Sequence, residues 1–114
     1  MTTADIDAIA REQLKAAGAA SSFLGYHGFP ATICVSVNEE VVHGIPGSKP
    51  LLEGDLVSVD FGAIIDGWHG DAAISFGIGE LDETSQRLSD VTERSMWAGL
   101  AKAVAGNALS DISH

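Results

Sequence analysis

The stretch LVSVDFGAIIDGWHGDAAISF, residues 56–76, decides the fold. Its first part alternates apolar residues with polar or small ones up to Phe61, and this period of two predicts a β-strand. The pair Asp66-Gly67 indicates a type I′ turn, because both central positions of that turn require a positive φ. Residues 68–76 then return along the first strand. We therefore predict an antiparallel β-hairpin.

The hairpin places two acids, Asp60 and Asp71, on one face of the sheet. With a two-residue loop at the turn, Asp60 pairs with Ala73 and Asp71 pairs with Gly62. The carboxylates are then diagonal neighbours, with Cβ atoms somewhat less than ~7–8 Å apart. Such a pair repels unless a cation lies between its members, and carboxylates suit Mn, Fe, Co, Zn or Mg. The alternative is a solvated face whose acids only keep the hairpin soluble.

Residues around the two acids favour the metal site without establishing it. Gly62, Gly67 and Gly70 remove side chains from this part of the hairpin, which leaves room for an ion or ligand. His69 stands two residues from Asp71 and could share its face. A lone histidine in a strand is, however, more often a surface or packed residue than a metal ligand.

Two further histidines, His27 and His43, lie in loops of the pattern His-Gly-x-Pro. A rigid loop of this kind can present an imidazole for hydrogen bonding or proton transfer. Cys34 alternates with apolar strand residues, so it is a small core residue or part of a pocket lining. The pattern alone is weak for each of the three.

The remaining elements are predicted from periodicity and from residues that break helices and strands. Helical spacing of apolar residues predicts an amphipathic helix over about residues 4–17 and a second from residue 83 to about residue 105. Alternation predicts a strand over residues 33–37 and a short returning strand over residues 41–43. The sum is a mixed α/β (α+β) chain.

Length and charge limit the possible functions. The 114 residues suffice for one domain, residues 1–114, and are too few for two. A formal net charge of −10 makes nucleic acid and anionic membrane surfaces unlikely partners. No run approaches the ~20 apolar residues of a membrane span, and no secretory signal begins the chain. A single cysteine suits a reducing cytoplasm.

Two segments carry a resemblance to a known family: GYHGFPATICVSVNEEVVHGIP (residues 25–46) and LLEGDLVSVDFGAIIDGWHGDAAISFGIG (residues 51–79). Together with the eleven-residue spacing of Asp60 and Asp71, they resemble the first half of the catalytic domain of a type I methionine aminopeptidase, most closely an actinobacterial one. The resemblance implies half of a pita-bread fold, an antiparallel sheet with two amphipathic helices on one face. It also implies removal of N-terminal methionine from nascent proteins by metal-dependent hydrolysis.

The resemblance assigns a role to each candidate residue. Asp60 and Asp71 would be ligands of a centre that holds two divalent ions (Co, Mn, Fe or Zn) in a complete site. His43 would be catalytic and would contact the substrate. The pocket for the methionine side chain would be lined by Tyr26, His27, Phe29 and Cys34.

The remaining metal ligands of the family, one His and two Glu, belong to the second half of its catalytic domain. His114 does not stand in that motif. We therefore expect a truncated domain that is inactive alone. One alternative is a non-catalytic half-domain that binds metal weakly or forms a homodimer through its exposed face. Another is a proline-specific dipeptidase, which the GYHGFP and VVHGIP loops disfavour.

Overall fold

The computed structural model describes residues 1–113 and shows a mixed α/β chain with an antiparallel four-stranded sheet. Two compact units are present, Met1–Leu81 and a second that begins at Asp82. In chain order the elements are α1 (Thr3–Ala16), β1 (Ala20–Ser21), a 3-10 turn (Tyr26–Gly28), β2 (Cys34–Val37), β3 (Leu56–Ile65), β4 (Trp68–Gly77), α2 (Glu83–Leu100) and a second 3-10 turn (Leu109–Asp111).

Strand β3 is the centre of the sheet. Strand β4 pairs with it along its whole length, while β2 and β1 share its other edge, β2 beside the first half and β1 beside the end. The predicted hairpin is confirmed, with Asp66 at φ 51° and Gly67 at φ 81° in the turn. The predicted register is also confirmed, since Asp60 pairs with Ala73 and Asp71 pairs with Gly62.

The two faces of the sheet differ because side chains alternate along each strand. On one face, Val35, Val37 and Val57 are almost fully buried and form a core with Ile33 and Ala10 of helix α1. Asp60 projects from the opposite face. The predicted strand at residues 33–37 is confirmed as β2, but every residue of β2 is buried, including Cys34 and Ser36 on the Asp60 face.

Helix α1 agrees with the prediction to within one residue at each end, and Gly18 follows it with a positive φ of 65°. Its Asp7 carboxylate is buried and joins the helix to the sheet. The Oδ1 atom accepts hydrogen bonds from the backbone N–H groups of Thr32 at 2.6 Å and Ile33 at 3.2 Å. The Oδ2 atom pairs with Arg11 at 2.9 Å. The helix therefore fixes the start of β2.

The predicted returning strand at residues 41–43 is wrong. A ladder does not form there because side chains occupy the backbone donors that it would use. The Val37 N–H donates to the Glu40 carboxylate at 2.9 Å, and the Gly44 N–H donates to the Ser36 hydroxyl at 3.0 Å. Between β2 and residues 41–44, one backbone hydrogen bond forms among the described residues, from Val35 N–H to Gly44 O at 3.0 Å.

Helix α2 ends at Leu100, so its predicted extension to about residue 105 is also wrong. The Lys102 N–H bonds to Gly99 O at 2.9 Å, which tightens the last turn into 3-10 geometry. The Asn107 side chain then donates to Lys102 O at 2.9 Å and satisfies a carbonyl that a longer helix would have used. At the start of the helix, the Asp82 side chain accepts from the N–H groups of Thr84 and Ser85.

Among residues 1–113, none of the helices is both long and apolar enough to cross a membrane.

Candidate metal and substrate site

The candidate site centres on Asp60, which is half-buried, and Asp71, which is exposed on the neighbouring strand. The pKa of Asp60 is raised, first by its burial and next by the negative charge of Asp71. The charge of His43 has the opposite effect and limits this rise in the pKa of Asp60. The two carboxylates are therefore close enough to repel, and a cation between them would relieve that repulsion.

Cys34 lies beside the carboxylates. It pairs with Asp60 across β2 and β3 and is 4% exposed. Burial, followed by the charges of Asp60 and Asp71, raises the pKa of the Cys34 thiol. This cysteine is therefore a neutral thiol in the wall of the site.

His43 reaches the site from the loop between β2 and β3. The next residue, Gly44, bonds to the backbone of Val35 and to the hydroxyl of Ser36. A side chain at position 44 would collide with the carbonyl of Val35, so only glycine permits this close approach. His43 itself is exposed.

Tyr26, His27 and Phe29 share one turn after β1. The rings of Tyr26 and His27 meet edge to face, with centroids 4.4 Å apart. His27 has a positive φ of 47°, and the turn is closed by a hydrogen bond from Gly25 N–H to Phe29 O at 2.8 Å. The three residues predicted to line the substrate pocket therefore lie on one turn. The charges that change the pKa of Asp60 come from other residues, Asp71 and His43.

His69 lies against a neighbouring side chain, in line with the prediction of a surface or packed residue, whereas Gly62 does not leave the open space that was expected there. The Nδ1 atom of His69 lies 3.0 Å from the hydroxyl of Ser22, which occupies this imidazole nitrogen. A Cβ atom at Gly62 would lie 2.7 Å from the side chains of both Ser22 and Phe23. Ser22 and Phe23 therefore fill the space at Gly62, and no room for an ion is left there. Sequence reasoning missed Ser22, since a serine in a loop carries no signal for a contact 47 residues away.

The donors present fit a divalent cation only in part. Two convergent carboxylates supply the oxygen ligands that such ions accept. Within residues 1–113, no group of three or more His, Cys, Asp or Glu side chains is arranged to hold a metal ion. His114 lies outside the described residues. The described residues therefore supply two convergent carboxylates and no complete set of metal ligands.

Comparison with known proteins agrees with the fold. The family model described as Metallopeptidase family M24 matches residues 1–114. Methionine aminopeptidase 1 of Mycobacterium tuberculosis is 54% identical over 96% of this chain and 41% of its own length. Methionine aminopeptidase 1 of Bacillus subtilis is 48% identical over the whole chain and 46% of its own length. The chain thus spans less than half the length of these relatives.

A solved structure shows the same architecture. The crystal structure of methionine aminopeptidase from Thermotoga maritima superposes with a TM-score of 0.85 and 41% identity, over 90% of this chain and 41% of that one. The shared architecture places the chain among the pita-bread folds of these proteins. The chain belongs to metallopeptidase family M24, and its relatives are methionine aminopeptidases.

Proposed function

We propose that this chain supplies the first half of a metal-dependent site that removes N-terminal methionine from nascent proteins. The observation that carries the proposal is the diagonal pair of Asp60 and Asp71, with His43 near enough to act on the pKa of Asp60. The family membership and the names of the relatives support the same reading. We place the protein in the cytoplasm, where Cys34 stays reduced.

Each residue has a defined task in this proposal. Asp60 and Asp71 hold divalent ions (Co, Mn, Fe or Zn, two in the complete site), which act as Lewis acids on the peptide carbonyl when bound. The exposed imidazole of His43 forms a hydrogen bond with the bound peptide. The methionine side chain lies among Cys34 and the aromatic turn with Tyr26, His27 and Phe29, because a thiol and ring faces suit a thioether.

Titration calorimetry with Mn²⁺ tests the role of the carboxylates. With two protein ligands, we expect a dissociation constant on the order of 10⁻⁴ M, as for weak carboxylate sites. Asp71→Asn should weaken binding at least about tenfold, since a neutral amide replaces a charged ligand. Asp66→Asn is the matched control on the same hairpin, and asparagine tolerates the left-handed backbone at that position. Sub-micromolar binding by a monomer would contradict a site with two ligands.

The substrate assignment has a separate test. In NMR spectra recorded with Mg²⁺ as a diamagnetic ion, a Met-Ala-Ser peptide should shift resonances of Tyr26, Cys34 and His43. The N-acetylated peptide should not, because it lacks the free amino terminus. Equal shifts with both peptides, or shifts confined to residues distant from Asp60, would refute the proposed substrate.

A self-assembling half-domain is the second candidate, and the sheet gives a reason for it. Ile74 and Phe76 lie on the same face of the sheet as the core residues Val59 and Val57 but are 65% and 38% exposed. A symmetric homodimer would cover this surface. The carboxylates Asp60 and Asp71 project from the opposite face of the sheet, so this dimer would form without bringing the two carboxylate pairs together. Sedimentation velocity with and without Mn²⁺ decides this point. A monomer at high concentration in both conditions would exclude the dimer.

A further inference from the structure

Residues 38–50, the first part of the connection between β2 and β3, carry His43 and are called the His43 loop below. An ion pair closes it. The Glu40 carboxylate accepts from the Lys49 ammonium at 2.8 Å and from the Val37 N–H at 2.9 Å. These two contacts lower the pKa of Glu40, in that order. Because Glu40 precedes His43 and Lys49 follows it, one carboxylate joins the two ends of the loop to the end of β2.

The first turn of α1 provides a second anchor. The hydroxyl of Thr3 donates to Gly47 O at 3.0 Å and accepts from Gly47 N–H at 2.9 Å. The N–H groups of Thr3 and Ala4 donate to Lys49 O at 3.0 Å and Gly47 O at 2.9 Å. The N–H groups of the first helical turn have no acceptor within the helix, and here the carbonyl groups of the loop accept their hydrogen bonds. Thr3 is 3% exposed, so water does not replace these bonds without local opening.

The third contact directs the anchored loop towards the carboxylates. Gly44 is bonded to Val35 and Ser36 of β2, and Cys34 of the same strand pairs with Asp60. We propose that Thr3 and Glu40 are positioning residues for His43, which hold the His43 loop so that the imidazole stays beside Asp60. Neither residue touches the carboxylates. This inference rests on the proposed function, in which His43 meets the substrate.

Paired variants separate the hydrogen bonds from side-chain volume. Thr3→Val keeps the shape and removes both hydroxyl bonds to Gly47, whereas Thr3→Ser keeps the hydroxyl. Glu40→Gln removes the charge that pairs with Lys49, and Glu39→Gln removes the neighbouring charge, which makes no side-chain hydrogen bond in the structure. All four can be made in the 114-residue chain and compared by amide hydrogen exchange.

We expect Thr3→Val to speed exchange of the Gly44 amide about tenfold, the effect of losing roughly one net hydrogen bond. Glu40→Gln should speed it about threefold, because an ion pair between exposed side chains contributes less. Thr3→Ser and Glu39→Gln should remain near the wild-type rate. Gly44 is the decisive amide because its N–H bonds to Ser36, and within residues 1–113 it makes no hydrogen bond to Thr3 or Glu40. Faster exchange at Gly47 alone, with Gly44 unchanged, would overturn the inference, since Thr3 would then act only locally.

A second readout follows the imidazole itself. Bound Mn²⁺ broadens NMR signals of nearby nuclei, so the His43 ring signals should broaden in the wild type and broaden less in Thr3→Val and Glu40→Gln. The Ala73 amide opposite Asp60 reports whether the ion has bound. Broadening of Ala73 with undiminished broadening of His43 in both variants overturns the positioning role. Absence of Ala73 broadening in the wild type refutes the metal site instead.

Thr3→Val could also disturb the fold, because Thr3 is buried. Protection of the Val57 and Val59 amides, which lie on the central strand at the core and make no bond to the His43 loop within residues 1–113, shows whether the sheet is intact. If those amides lose protection in Thr3→Val, the exposed Glu40→Gln decides. Unchanged Gly44 exchange and unchanged His43 broadening in that variant would then overturn the inference.

Discussion

At the residue scale, Asp7 shows how one buried carboxylate joins a helix to a strand. It receives two backbone N–H groups from residues 32 and 33 and pairs with Arg11. A carboxylate near the start of α1 is also favoured by the positive end of the helix dipole. The tertiary contacts give it a second task, because the N–H groups at the start of β2 have no strand partner there.

Asp7→Ala should lower the free energy of unfolding by about 2–5 kcal/mol, because it leaves two buried N–H groups without acceptors. Urea unfolding followed by circular dichroism measures the change. Arg11→Ala is the control, since the Arg11 side chain is 60% exposed and a pair of this kind contributes about 0–1 kcal/mol. Equal losses in the two variants would mean that the ion pair, rather than the backbone bonds, stabilises this contact.

Thr32 presents the opposite case. Its side-chain hydroxyl is buried and has no hydrogen-bond partner among the described residues. Thr32→Val replaces the hydroxyl with a methyl group of similar size, so we expect the unfolding free energy to rise by about 1 kcal/mol. Thr32→Ser, which keeps the hydroxyl and loses the methyl group, should lower it. A loss of stability in Thr32→Val would show that an ordered water satisfies the hydroxyl.

At the element scale, Asp55 organises the turn that leads into β3. Its carboxylate accepts from the Leu52 N–H at 2.8 Å and from the Asn38 amide at 2.7 Å. These bonds, the one from Leu52 first, lower the pKa of Asp55 below its usual value. The carboxylate is thus favoured in its ionised form, and the entry to the central strand depends on pH.

The sign of that dependence follows from the lowered pKa. Ionised Asp55 stabilises the folded state above the unfolded pKa, about 3.9, and this contribution is lost as pH falls through the lower folded pKa. Asp55→Asn should therefore be less stable than the wild type at pH 7, and the difference should shrink below about pH 4. Urea unfolding of both proteins from pH 2 to pH 7 measures it. A difference that stays constant over this range would exclude a role for the charge.

An element was predicted correctly where its conformation depends on the residues within it, and wrongly where it depends on hydrogen bonds from side chains outside it. The hairpin turn at Asp66-Gly67 was predicted correctly because its φ values depend on those two residues alone. The strand expected at residues 41–43 failed because Glu40 and Ser36 took its hydrogen-bonding partners, and no local pattern shows this. The end of α2 was missed for the same reason, since Asn107 bonds back to Lys102.

At the scale of the whole molecule, we predict from the set of possible metal ligands that this chain alone has little activity. Only two convergent carboxylates, Asp60 and Asp71, face the candidate metal site within residues 1–113. Two ligands leave most coordination positions to water and do not fix a pair of metal ions. The polypeptide of 114 residues should therefore be a partial site, in keeping with its spanning less than half the length of its relatives.

We expect this 114-residue chain to release no measurable methionine from a Met-Ala-Ser peptide with Co²⁺, Mn²⁺, Fe²⁺ or Zn²⁺. Amino acid analysis of the reaction mixture measures the release, and Asp60→Ala is the control for contaminating enzyme. Turnover that Asp60→Ala abolishes would show that this chain completes its own site. Turnover that persists in Asp60→Ala would come from a contaminant.

The sequence alone determined the hairpin, its register and the shared face of Asp60 and Asp71, because a two-residue turn and the alternation of strand side chains leave no freedom there. Tertiary structure decided where His43, Cys34 and Ser22 lie. Each reaches its place through a contact between distant parts of the chain, as Ser22 does with His69. Such contacts depend on which backbone groups the neighbouring elements leave unpaired, and that becomes defined only when those elements pack.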